Sequence, residues 1–315
     1  MQSLKKEKIS GNCYSPPMQK HPATWGAFAF NILTEAVIRI IMKIRSYGAE
    51  NYFTLKIPAE VQGMMKRFIV AFLTLVIIGL YLCFIILDFS RFYSLDYYAH
   101  SMTSALLKRV CVVLAATIVW ISGRDGVNTG GGLMKTAFIV ICFAEAALFY
   151  GRMAPGIGLF VLCQILLCFR NGMGLRQKLG AAAGSKKIRL ILFGAFLAAA
   201  YIIVIGLSYQ IILRYNLLPI VCLYALLISS SLWVGFANYT LELLPRKNSI
   251  MVFIGMICFY CCDILVGLDE IMEPSLLWIL VNSTIWFFYI PAIVLLALSC
   301  YKHDEKRSDH NGEAL

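Results

Sequence analysis

The chain has 315 residues, of which 60% are hydrophobic and only 14% charged, and its mean hydropathy is +0.77. A soluble domain of this composition would expose a large apolar surface to water, so that class is excluded. The formal net charge of +11 does not indicate nucleic-acid binding, because Lys and Arg lie in the terminal segments and between the apolar runs. This distribution instead predicts membrane topology and attraction to anionic lipid headgroups.

The N-terminal 66 residues are predicted to be a basic cytoplasmic segment that precedes the membrane domain. Within it, 25–45 has apolar residues at helical spacing and polar or charged residues on the opposite face, including Glu35 and Arg39. This pattern predicts an amphipathic helix that lies in the membrane interface or packs on the cytoplasmic face of the bundle. The membrane domain is predicted over 67–300, and 301–315 is a polar C-terminal tail.

Eight apolar runs are long enough to cross about 30 Å of hydrocarbon. They lack the short alternating pattern of barrel strands, so each is predicted to be a helix that satisfies its own backbone. The fold class is therefore all-α, a polytopic membrane helix bundle. The predicted spans are 68–88, 105–122, 132–150, 154–170, 188–210, 216–237, 249–268 and 276–299.

Basic residues concentrate before the first span, between the fourth and fifth, and after the eighth. The positive-inside rule then predicts that both termini are cytoplasmic. In a bacterium, the expected location is the plasma membrane.

Two carboxylates lie inside spans, Glu145 in the third and Asp263 in the seventh. A charge near the bilayer centre costs at least ~3 kcal/mol on insertion scales, so such residues face the bundle interior and are functional candidates. When Glu145 is superposed on Asp263, Gln164 aligns with Asn282. The displacement is four spans, which predicts a parallel internal repeat of spans 1–4 and 5–8.

Other polar residues are predicted near the depth of the two acids. Lys108 opens the second span, and Asn282 and Ser283 lie early in the eighth, with Gln164 and Tyr289 somewhat deeper. A Lys at such a position can instead snorkel to the headgroups. All four histidines fall outside the spans, which argues against a His-ligated zinc site, and no cofactor or metal is predicted.

Two carboxylates close together in a low dielectric share a proton. They would provide one acid and one base for general acid–base hydrolysis. Two other interpretations fit the same residues. The acids could bond to Gln164, Asn282 or Lys108 for helix packing alone, or they could form the proton or cation site of a transporter.

Several motifs are similar to those of a known family. GLMKTAFIVICFAEAALF and GLFVLCQILLCF occur in the first half, GMICFYCCDILVG in the second, and Tyr289 is followed closely by Pro-Ala. With Lys108 at the start of the second span, their order resembles the lysoplasmalogenase (YhhN-type) family of eight-span membrane proteins over about 105–300. Glu145 stands where that family has Asp, and Gln164 where it usually has His.

The resemblance implies an enzyme that hydrolyses the vinyl ether of a lysoplasmalogen, a lysophospholipid, to a fatty aldehyde and a glycerophospho-alcohol. Glu145 and Asp263 would form the acid/base pair, and Lys108 would hold the lipid phosphate. The implied orienting and hydrogen-bonding residues are Gln164, Asn282, Ser283 and Tyr289. The two departures leave open a non-catalytic lysolipid-binding protein, and no oligomeric state is predicted.

Overall fold

The computed structural model describes residues 59–94, 102–122, 130–214, 218–273 and 275–301. Within these ranges the chain forms nine helices and no strand, which confirms the all-α class. The helices are α1 (Ala59–Ser94), α2 (Met102–Ser122), α3 (Gly131–Phe149), α4 (Met153–Asn171), α5 (Leu175–Ala181), α6 (Gly184–Arg214), α7 (Leu218–Leu241), α8 (Arg246–Ile271) and α9 (Leu276–Leu298). The amphipathic helix predicted at 25–45 lies outside the described residues.

The eight predicted spans are confirmed. Every described helix except α5 is long and apolar enough to cross a membrane. Most bounds agree within a few residues, but α1 begins at Ala59 rather than near 68. Its first turns carry polar and basic residues, and a helix can continue beyond the hydrocarbon where its polar side chains reach water or headgroups. The short α5, between α4 and α6, was not predicted.

Six of the spans form a closed circuit of neighbours, which we call the helix ring. Around it, α2 packs on α3, α3 on α4, α4 on α7, α7 on α8, α8 on α9, and α9 on α2. Outside the ring, α1 packs on α2 and α9, and α6 packs on α7. The pairings among α1–α4 thus recur among α6–α9, as a parallel internal repeat requires.

The hairpin between α3 and α4 is tight because a Schellman motif ends α3. Gly151 has a φ of 72°, and its N–H donates to the Leu148 carbonyl while that of Arg152 donates to Ala147. This pattern satisfies the last carbonyls of the helix and favours glycine at the left-handed position. Helix α4 then starts at Met153, which holds α3 and α4 antiparallel with Glu145 close to the hairpin.

The short connections make successive spans antiparallel, so α3 and α8 finish at the same end of the bundle, which we call the acidic end. At the opposite end, buried polar side chains join α4, α7, α8 and the residues after α9. Arg170 donates to the Ser299 carbonyl at 3.1 Å and to Asn171 Oδ1 at 2.9 Å. Asn238 donates to the Asn171 carbonyl at 2.8 Å and accepts from Ser249 at 2.9 Å. These bonds hold the helices together at this end of the bundle. The candidate site lies at the other end, the acidic end.

Candidate functional site

Glu145 lies one turn before the end of α3 and is only 5% exposed. The Tyr289 hydroxyl of α9 lies next to its carboxyl, although the two do not form a hydrogen bond of normal geometry. Arg109 and Lys108 of α2 carry positive charge close to the same carboxyl. Three helices of the ring therefore bring a carboxyl, a phenol and two cations together.

Asp263 lies two turns before the end of α8 and is partly buried. Gln164 of α4 donates from Nε2 to its Oδ2 at 3.3 Å. The hydroxyl of Tyr224, from α7, lies next to the same carboxyl. The partners of Asp263 are thus neutral polar groups, in contrast to the cations around Glu145.

The two acids occupy the same region of the ring but do not share a hydrogen bond. Each carboxyl lies within electrostatic range of the buried Cys262 thiol. Cys163 of α4 lies near both Tyr289 and Tyr224. Two buried thiols thus lie near both polar groups, one of which is centred on each acid.

Aromatic rings surround Tyr289. Its ring centroid is 5.3 Å from that of Trp286, 5.9 Å from Phe259 and 6.2 Å from Phe160. Edge-to-face contacts of this kind fix ring orientation. The phenol is consequently held by α4, α8 and α9 with its hydroxyl directed toward Glu145.

Lys108 is buried and does not snorkel to the headgroups. Its Nζ lies 2.6 Å from Oδ2 of Asp88 in α1, and Ser104 donates to the other carboxylate oxygen at 2.5 Å. The ammonium also lies 5.0 Å from the Trp286 ring centroid and 5.7 Å from that of Phe84. Lys108 therefore links the site to α1, outside the ring.

The structure places Asn282 and Ser283 near the start of α9, where Asn282 bonds to an acid other than Asp263. Asn282 Nδ2 lies 3.1 Å and 3.3 Å from the two carboxylate oxygens of Asp269, at the end of α8. Asn282 and Gln164, which align in the predicted repeat, therefore make similar but not equivalent contacts. Both carboxamides bond to a carboxylate of α8, Gln164 to Asp263 and Asn282 to Asp269. Ser283 is buried beside it.

Three of the predicted residues have buried polar atoms without a hydrogen-bond partner, namely Gln164 Oε1, Ser283 Oγ and Tyr289 Oη. Buried polar atoms in proteins normally have partners, and exceptions need an explanation. A bound polar molecule or water would satisfy them. No group of three or more His, Cys, Asp or Glu residues with the arrangement of a metal site occurs in the described part of the chain.

Sequence reasoning missed Asp88, Ser104, Arg109, Tyr224 and Asp269. Asp88 ends the predicted first span and Asp269 follows the seventh, positions where a charge is ordinary. Arg109 follows a Lys already chosen, and Tyr224 is one of many aromatic residues in the chain. The one usable signal was that the adjacent Lys108 and Arg109 point in different directions from a helix, which predicts that their side chains do not share all their neighbours.

The comparison with protein families agrees with this architecture. The model of the YhhN family matches residues 103–300, which include all the helices of the ring. No curated protein and no solved structure matches the chain. The family match covers well over half of the chain, so the protein belongs to the YhhN family, which is the lysoplasmalogenase family of membrane proteins.

Proposed function

We propose that this protein is an integral-membrane hydrolase that cleaves the vinyl ether of a lysoplasmalogen to a fatty aldehyde and a glycerophospho-alcohol. The observation that carries the proposal is the pair of acids in one helix ring, Glu145 and Asp263, each beside a tyrosine hydroxyl. General acid–base hydrolysis needs a proton donor and a proton acceptor held close to one substrate bond.

The surroundings of the two acids support separate roles. Arg109 and Lys108 place positive charge near Glu145, which suits a residue that works as a carboxylate. Asp263 has the neutral partners Gln164 and Tyr224, which suits a residue that works as a protonated acid. In glycosidases, the different environments of two carboxyls likewise make one the proton donor and keep the other a carboxylate.

The reaction can then be written with all atoms balanced. Asp263 gives its proton to the alkenyl carbon that is not bonded to the ether oxygen, and the double-bond electrons form the new C–H bond. The Glu145 carboxylate stabilises the resulting oxocarbenium ion. Water then adds to the oxocarbenium carbon and gives a proton to Glu145, which yields the hemiacetal. The hemiacetal collapses when its hydroxyl returns a proton to Asp263 and the leaving glycerol oxygen takes one from Glu145.

The remaining residues would bind and orient. Lys108 would hold the phosphate, Tyr289 would donate a hydrogen bond, and the unpartnered oxygens of Gln164 and Ser283 would bind water or substrate oxygens. Asn282 would act through Asp269, to which it is bonded. We also propose that both termini face the cytoplasm, so that the acidic end faces the opposite side of the membrane.

The test is aldehyde release from a vinyl-ether lysophospholipid by the purified protein, with Asp263→Asn and Glu145→Gln as the variants. Glu242→Gln is the matched control, since Glu242 is an exposed acid paired with Arg246 at 3.3 Å and follows α7 at the end of the bundle opposite the acidic end. Release by the wild type and the control, with loss in both site variants, supports the proposal.

Two outcomes would contradict it. Release that persists in Asp263→Asn, in protein that inserts normally, rules out the two-carboxylate mechanism. Binding of the lysolipid without release in the wild type favours a non-catalytic lipid-binding protein. In that case Glu145→Asp and Gln164→His, which restore the family's usual residues, show whether the departures removed the activity.

A further inference from the structure

The Lys108 ammonium occupies a cage built from three side chains of α1 and α9. Asp88 provides the carboxylate at 2.6 Å, and Trp286 and Phe84 provide ring faces at 5.0 Å and 5.7 Å. The two rings contact each other edge to face, with centroids 6.5 Å apart. Asp88 and Phe84 are almost fully buried, at 3% and 0% exposure, and Trp286 is half-buried, so most of the cage is shielded from solvent.

A carboxylate flanked by aromatic faces is the arrangement by which proteins recognise alkylammonium ions. The rings attract the positive charge through their quadrupoles, and the carboxylate supplies the countercharge. A lysine ammonium is itself a primary alkylammonium group. The cage therefore holds a member of this class of ion in the structure, as a side chain of the protein itself.

We propose that Asp88, Phe84 and Trp286 form the binding site for the ammonium group of a zwitterionic lysophospholipid headgroup, whose place the Lys108 ammonium takes in this structure. The inference deepens the proposed function and rests on its lysophospholipid substrate. The headgroup ammonium enters the cage, and Lys108 moves to the neighbouring phosphate.

Charge balance favours this exchange over simple opening of the cage. Removing one partner of a buried ion pair leaves an uncompensated charge, which is strongly unfavourable. Asp88 can therefore release Lys108 only if another cation replaces it. A zwitterionic headgroup provides that cation and also an anion that Lys108 can contact, because its phosphate and ammonium are joined by a two-carbon link.

The cage also explains what the first span contributes to this protein. The family model begins at residue 103, after α1. Asp88 and Phe84 both belong to α1, which lies outside the ring and packs on α2 and α9. The headgroup site is thus completed by a helix that the family match does not include.

Direct binding to the purified full-length protein tests the inference without requiring turnover. The probe is a lysophosphocholine with a saturated alkyl ether, which the proposed reaction cannot cleave, and the matched lipid carries a phosphoglycerol headgroup without an amine. The variants are Trp286→Leu, Trp286→Phe and the double change Asp88→Asn with Lys108→Met, which removes both charges together. Tetramethylammonium chloride is measured as a free alkylammonium ion.

The wild type should bind the phosphocholine lipid more tightly than the phosphoglycerol lipid. Trp286→Leu should weaken phosphocholine binding about 30-fold, the worth of a desolvated cation–π contact, and leave phosphoglycerol binding nearly unchanged. Trp286→Phe keeps a ring face and should lose only a few-fold. The double variant should lose the preference between the two headgroups.

Equal affinity of the wild type for the two lipids would overturn the inference, as would an equal loss of both in Trp286→Leu, which indicates packing alone. Tetramethylammonium that binds as tightly as the lipid would assign the cage to free alkylammonium ions rather than headgroups. Aldehyde release without a headgroup preference would leave the hydrolase standing and refute the cage.

Discussion

The buried ion pair between Asp88 and Lys108 gives a prediction that does not depend on the reaction. At 2.6 Å, two unit charges attract by about 6 kcal/mol at the effective dielectric constant of 20 that describes protein sites. Asp88→Asn removes the negative charge and deprives the buried Lys108 ammonium of this counter-charge. We expect it to lower the free energy of unfolding by about 3–5 kcal/mol, as is usual when one partner of a buried pair is removed.

Adding Lys108→Met should restore most of that loss, because a buried pair replaced by uncharged side chains of similar size is often close to neutral. The measurement is thermal unfolding in detergent of the wild type, both single variants and the double variant. At 2–4 °C for each kcal/mol, the single variant should unfold roughly 6–20 °C lower. A double variant as unstable as Asp88→Asn would refute the reasoning, since the loss would then not come from an uncompensated charge.

Three further predictions follow from the geometry. Asp263→Asn should reduce the rate of aldehyde release by about 10²–10⁴ with little change in KM, as expected for loss of a general acid, whereas Glu242→Gln should match the wild type. Gly255→Ala should lower the free energy of unfolding by about 1–3 kcal/mol, because its new methyl group would lie 3.2 Å from the Ala292 carbonyl oxygen of α9. Gly267→Ala in the same helix meets nothing within 4 Å and should be neutral or stabilising. Asn238→Ala should lower the free energy of unfolding by about 2 kcal/mol, since it leaves the buried Asn171 carbonyl without its donor and removes one of the two acceptors of the Ser249 hydroxyl, the other being the Leu244 carbonyl.

The sequence determined the spans because each one is a local property. A membrane helix satisfies its own backbone and must be apolar over its length, so a window of about 20 residues is sufficient to recognise it. The same constraint drew attention to Glu145 and Asp263, since a carboxyl within such a window has to face the protein interior. The sequence also predicted a parallel repeat, because the acid-bearing and carboxamide-bearing helices follow each other in both halves, and the recurrence of the α1–α4 pairings among α6–α9 agrees with it.

Only the tertiary structure decided which polar residues meet. Lys108 pairs with Asp88 across the connection between α1 and α2, and Asn282 bonds to Asp269 rather than to Asp263. These contacts depend on how far each helix is rotated and shifted along its neighbour, and rotation by one residue turns a side chain by about 100°. Hydropathy is averaged over a whole span and carries no information on that rotation. The sequence therefore determined the helices and the position of each acid along its helix, while packing between helices decided their partners.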